Sequence, residues 1–128
     1  CILGDGELEE GQVWEAAMTA NKYKLDNLCV IVDNNNLQID GTIEEVKGLE
    51  HIEEKFESFG FNVITVNGNK IADLIQAFDK AKTTKGKPTA IAAITTKGKG
   101  VSFMENQASW HGKAPNEEQY KQAMEELQ

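Results

Sequence analysis

The chain contains no arginine: every one of its thirteen basic residues is a lysine. No residue here offers the planar guanidinium fork that grips a phosphate or carboxylate through two parallel hydrogen bonds, so any such clamp must come from another chain. Acidic residues outnumber basic ones to give a formal net charge of -8, and no basic stripe breaks the balance. That excludes an ordinary nucleic-acid surface. Cys1 and Cys29 are the only cysteines. In strand-like surroundings and without a secretory signal, they read as buried reduced thiols rather than a disulfide framework. With His51 and His111 they fall at no zinc-ligand spacing. No apolar run approaches the roughly 20 residues of a membrane span, and the first residues lack a basic n-region. A cytoplasmic protein with no membrane partner is the expectation. Walker and Gly-x-Gly-x-x-Gly patterns are missing, and neither Ser58 nor Ser102 sits on a nucleophile elbow.

What remains is a soluble-type composition, 40% hydrophobic and 27% charged over 128 residues, enough for one domain. The apolar residues Ile2 and Leu3 run into Gly4-Asp5-Gly6. From Glu9 to Lys24, Val13, Ala16, Ala17 and Ala20 repeat at helical spacing and give a small-residue apolar face. Leu28 to Val32 is a continuous apolar run, as in a parallel strand buried on both faces, and it breaks in Asp33-Asn34-Asn35-Asn36. Asp40-Gly41 marks a second turn. A helix is expected from His51 to Ser58, stopping at Gly60, with His51 on solvated surface. A strand follows from Phe61 to Val66. The next helix, Ile71 to Ala81, places Ile71, Leu74, Ile75 and Phe78 on one face. Thr89 to Thr95 reads as another buried strand, and Val101 to Pro115 as an irregular loop. Asn116 caps a last helix with Tyr120, Met124 and Leu127 turned inward.

Strands alternating with helices imply an α/β fold, a parallel sheet with helices on both faces. In open sheets of this kind ligands bind beyond the carboxyl ends of the strands. Those ends supply Gly4-Asp5-Gly6, Asn34-Asn35-Asn36 and the loop carrying His111. A carboxylate from Asp5, an amide oxygen from Asn35 and a main-chain carbonyl at Leu37 make an oxygen set suited to Mg2+ beside a phosphate. Gly6 would let the backbone approach that phosphate, with the next helix presenting free N–H groups. Taken singly, Gly-Asp-Gly and Asn-Asn-Asn are equally ordinary turns. His111, between Trp110 and Gly112, reads either as a hydrogen-bonding group for a phosphate or substrate hydroxyl or as a structural residue.

The combined pattern is more specific. Gly4-Asp5-Gly6 followed by Asn35, a 30-residue step from Asp5, resembles the thiamine-diphosphate motif. The strings GDGELEEG, WEAAMTA, DNNNLQIDG, TTKGKG and WHGKAP together resemble the N-terminal, diphosphate-binding portion of transketolase, in particular the small subunit of split bacterial transketolases. The resemblance runs from Cys1 to Gln128. It implies the thiamine-diphosphate-binding fold, with residues 1–128 as a diphosphate-binding domain that is an incomplete fragment lacking its upstream segment. Asp5, Asn35 and the Leu37 carbonyl would hold Mg2+ or Ca2+. Gly4, Asp5, Gly6 and Asn35 would line the diphosphate, and His111 would serve both cofactor and sugar. Glu10 and Glu15 would lie at an interface between subunits. The implied partner is a pyrimidine-binding transketolase subunit, in a homo- or hetero-oligomer. The implied reaction is transfer of a two-carbon ketol unit between sugar phosphates of the pentose phosphate pathway, with no activity from this chain alone. Alternatives are a deoxyxylulose-phosphate synthase, a dehydrogenase E1 component, or a non-catalytic assembly module of the same fold.

Overall fold

Strand β1 (Ile2–Gly4) passes through a 3-10 turn (Gly6–Glu9) into helix α1 (Gly11–Lys22), and β2 (Cys29–Asn34) follows. A two-stranded hairpin, β3 (Leu37–Gln38) and β4 (Gly41–Thr42), leads into the short helix α2 (Ile43–Val46) and then α3 (Ile52–Ser58). The chain continues through β5 (Asn62–Asn67), α4 (Ile71–Thr83), β6 (Thr89–Ile94), a 3-10 turn (Ala108–Trp110) and α5 (Glu117–Glu126). This computed structural model describes every residue from Cys1 to Gln128. No helix in it is long and apolar enough to cross a membrane.

The four long strands form one parallel sheet in the order β1-β2-β6-β5. The expected parallel α/β architecture is what the chain adopts. β6 lies inside the sheet, and Thr89 to Ala93 are buried without interruption. Side chains alternate between two faces along each strand. One face carries Val30, Val32 and Ala90 against α1 and α3, with Ala17, Ala20 and Phe56 as the buried contacts. The other carries Ile64 and Ile91 against Ala77 of α4. Helices therefore cover both faces. Trp14 fastens α1 to α3: its ring lies 5.3 Å from those of Phe56 and Phe59, and its indole N–H donates to the Leu8 carbonyl at 2.8 Å.

Several expectations need correction. β2 is not buried on both faces, since Val30 and Val32 are buried while Cys29 and Ile31 are only partly covered. The reason is that α4 packs over β5 and β6 and leaves the neighbouring strands' second face thinly covered. On α4 it is Ala77 and Ala81 that are buried; Ile71 and Ile75 are exposed. The amphipathic pattern found the helix and misplaced its centre of contact. Likewise Asn116 caps α5 with a capping box shared with Gln119, but Tyr120, Met124 and Leu127 are exposed rather than inward. Cys1 is exposed and Cys29 half-buried, both as free thiols. His51 does not belong to α3. It precedes the helix with a φ of 57°, exposed as expected, near Glu50 and Glu54.

Candidate functional site

Strand β1 delivers Asp5. The Asp5 N–H donates to the Asp33 carbonyl at 3.2 Å, so the main-chain pairing runs one residue past β1 and fixes Asp5 at the strand tips. Its side chain is among the most buried polar groups in the chain. Oδ1 accepts from the Gly6 N–H at 2.9 Å and Oδ2 accepts from the Asn36 N–H. Burial pushes the Asp5 carboxyl above its ordinary range, and the nearby Asp33 charge adds to this. The N–H donors from Asn36, Gly6 and Asn35 oppose the shift without cancelling it. A buried carboxylate held in this way gains from a cation that neutralises it.

The expected helix N-terminus beside the glycines is not there. Gly6 to Glu9 form a 3-10 turn, the Gly6 N–H is taken by Asp5, and α1 starts only at Gly11 behind Glu10. Gly6 has a different steric duty. A Cβ on it would lie 3.1 Å from the Cβ of Gln38, which sits directly over it.

Strand β2 delivers the second group. Asn35 Oδ1 accepts from the Leu37 N–H at 3.0 Å, an Asx turn that leaves one of its lone pairs for another partner. Asn36 adopts a φ of 62°, which asparagine tolerates better than most residues, and the chain reverses into the hairpin. The Ile43 N–H donates to the Asn36 carbonyl at 3.2 Å, and Leu37 faces Thr42 in the next pair. Antiparallel pairs alternate between bonded and non-bonded, so the Leu37 carbonyl points away from β4.

The third element is the segment after β6, an irregular loop as expected apart from the 3-10 turn Ala108–Trp110, and one with its own internal contacts. The Asn106 N–H donates to the Lys97 carbonyl at 3.0 Å. Gly98, at a φ of 71°, lies so close to Met104 that a Cβ would come within 2.7 Å of its main chain. Trp110 packs on Phe103 at 5.4 Å and donates its indole N–H to the Phe103 carbonyl at 2.9 Å. These contacts fix the register of the loop and bring Lys97 and His111 to the same place. At the strand tips Thr95 Oγ donates to Asp33 Oδ1, joining β6 to β2.

Asp5, Asp33, Asn35, Leu37, Lys97 and His111 line one open cavity of about 660 Å3. Gly4, Gly6 and Gln38 form part of its wall. Glu10 lines it as well, whereas Glu15 is exposed on α1 outside it. The sequence reading missed Lys97, Gln38 and Asp33. Lys97 was nonetheless signalled: in a chain without arginine, a lysine directly after a strand that ends at the site is the natural counter-charge. It is the one lysine among the lining residues.

The donor chemistry tests what this cavity holds. Asp5, Glu7, Glu10 and Asp33 contribute carboxylates against the single Lys97. A bare anion would be repelled, whereas an anion bridged by a divalent cation is not. No three His, Cys, Asp or Glu side chains are grouped to hold a metal by themselves. The carboxylate, amide and main-chain oxygens of Asp5, Asn35 and Leu37 suit a hard cation that also binds phosphate oxygens, and do not suit zinc. The residues fit a metal-diphosphate.

Residues 1–128 match the family described as "Transketolase, thiamine diphosphate binding domain". The chain belongs to the transketolase family. It is 48% identical to an apulose-4-phosphate transketolase subunit of Phocaeicola vulgatus, over 98% of its own length and 45% of that protein. Against human transketolase it is 41% identical over 99% of its length and 20% of that protein. Its structure is similar to that of Campylobacter jejuni transketolase, with a TM-score of 0.89 and 38% identity over 98% of this chain and 20% of that one. The chain thus spans less than half the length of the transketolase relatives it matches.

Proposed function

We propose that residues 1–128 form the diphosphate-binding half of a transketolase active site, completed by a pyrimidine-binding subunit. The observation that carries this reading is the convergence of Asp5, Asn35, Leu37, Lys97 and His111 on one cavity at the strand tips. In this reading Asp5, Asn35 and Leu37 hold Mg2+, or Ca2+ in its place. Gly4, Gly6 and Asn35 line the diphosphate, and Lys97 offsets the charge the cation leaves. Bound thiamine diphosphate would supply the electron sink for cleaving a ketose phosphate and passing a two-carbon ketol unit to an aldose phosphate. The protein's own work is to orient the diphosphate end, neutralise it, and present His111 to substrate oxygens as a hydrogen-bonding or acid–base group.

A partner is part of the proposal. The relatives from Phocaeicola vulgatus and Actinobacillus succinogenes are each named as one subunit of a transketolase, which implies a second chain. A guanidinium that holds the sugar phosphate would come from outside these 128 residues, which contain no arginine. Glu10 and Glu15, exposed beside the small-residue face of α1, are assigned to the contact between subunits, in a cytoplasmic dimer or larger oligomer of the pentose phosphate type. Reconstituting the full-length polypeptide with its partner should give ketol transfer that requires both thiamine diphosphate and Mg2+. Absence of turnover with all components present would favour a non-catalytic assembly module.

A further inference from the structure

Leu37, whose donor is a main-chain oxygen, lies between two ties that both run back to the first turn of the chain. On one side, the Asn36 N–H donates to Asp5 Oδ2. On the other, Gln38 Nε2 donates to Glu9 Oε1 at 3.0 Å. The Gln38 side chain is seated over Gly6, close enough that any Cβ there would press on it. Glu9 is also held from its main chain, since Lys47 Nζ donates to the Glu9 carbonyl at 3.3 Å. The hairpin has only two paired positions, too few to hold a fixed shape unaided. Buried Ile43 anchors its far end, and the ties to Asp5 and Glu9 hold the end that carries Leu37.

We propose that the Glu9–Gln38 hydrogen bond is a latch that holds the hairpin down and so positions the Leu37 carbonyl for the divalent cation. Glu9 and Gln38 act as positioning residues, without touching the cation themselves. The inference rests on the cation reading given above. A main-chain donor has no rotamer with which to adjust, so its aim depends on the segment that carries it. Groups that orient a metal ligand typically change metal affinity by about 10- to 100-fold when removed.

The test uses the full-length polypeptide assembled with its partner subunit, with calorimetry giving the Mg2+ concentration that half-saturates thiamine-diphosphate binding. Gln38→Ala and Glu9→Ala should each raise that concentration about tenfold. The double variant should be no worse than either, because one bond is lost in all three. Glu9→Gln, which keeps an oxygen acceptor and removes the charge, should stay within about twofold of wild type on the same scale. Unfolding midpoints without cation should stay together. If Gln38→Ala unfolds the protein, Gln38→Met covers Gly6 without the amide and should show the same loss.

A normal Mg2+ requirement in the Gln38 variants overturns the latch. So does a loss in Glu9→Ala alone, which would reflect only a carboxylate's field, or additive losses in the double variant. Asp5→Ala separates the two claims. If it alone destroys cation-dependent binding, the latch fails and the cation reading stands. If Asp5→Ala also binds normally, the cation reading itself fails.

Discussion

The Asn36 N–H reaches across 31 positions of sequence to donate to Oδ2 of Asp5. This bond ties the tip of β1 to the start of the hairpin after β2. It orients the one buried carboxylate of the candidate site from the segment that also carries Asn35 and Leu37. Aim and charge are therefore set together.

The pH dependence of that carboxylate has a definite sign. Its pKa is raised above the ordinary 3.8, with burial as the main cause. Between 3.8 and the raised value, the folded chain keeps a proton that the unfolded chain has released. Stability of the cation-free protein therefore falls as pH rises through this window. Denaturant unfolding of wild type and Asp5→Ala across it should show the difference in stability between them moving against wild type as pH increases. The opposite slope would mean that the N–H donors outweigh burial.

Lys97 should be felt through the diphosphate. Lys97→Met removes the single lysine of the cavity wall and leaves Asp5, Asn35 and Leu37 in place. A hydrogen bond to a charged group contributes about 1.5–3 kcal/mol, or roughly a 10- to 100-fold loss of thiamine-diphosphate affinity at saturating Mg2+. Calorimetry on the assembled enzyme checks it, and unchanged affinity would remove Lys97 from the proposed site.

His111 should divide differently. His111→Ala should lower kcat/KM for the ketose phosphate by about 10- to 100-fold, again the scale of one charge-assisted hydrogen bond. The Mg2+ requirement should be preserved. Steady-state kinetics with sugar and Mg2+ varied separately will tell, and unchanged kinetics would return His111 to a purely structural role.

Gly68 offers a stability test. Its N–H donates to the Ile94 carbonyl at 2.8 Å just past β5. A Cβ there would lie 2.5 Å from Thr95 Cγ2 and 2.8 Å from Ala93 Cβ. Gly68→Ala should destabilise the protein by about 1–3 kcal/mol, the usual cost of overpacking. Urea unfolding measures it directly, and a neutral result would show that the β5–β6 tips yield to an added methyl group.

The long elements were legible because their residues follow the periods of strand and helix. The apolar runs Leu28 to Val32 and Thr89 to Thr95 became the neighbouring strands Cys29–Asn34 and Thr89–Ile94, and the repeat from Val13 to Ala20 became a helix. That Asp5, Asn35 and Leu37 would come together was also legible, because turns directly after strands fall at the sheet's carboxyl edge. The depth of burial was not. Hydrophobic spacing shows which residues share a face and says nothing of how far the opposing layer extends, so Ile71, Ile75, Tyr120, Met124 and Leu127 were expected inside and are exposed. The hairpin Leu37–Thr42 escaped notice because its paired segments are shorter than any periodic signal. Gln38 could not be placed by local pattern, since its hydrogen-bond partner, Glu9, lies 29 positions back along the chain.

Thr95 Oγ donates to Asp33 Oδ1, and the Asp33 carbonyl accepts from the Asp5 N–H, so the part of the cavity that carries Asp5 is joined through three strand tips. Lys97 and His111 stand on a loop with its own internal fastenings. The two halves can therefore change at different rates. On the proposed function, residues after Lys97 can be exchanged to admit a differently shaped substrate while the strand tips around Asp5 keep their dimensions, and a variant selected for new substrates should accumulate its changes there before it touches the sheet.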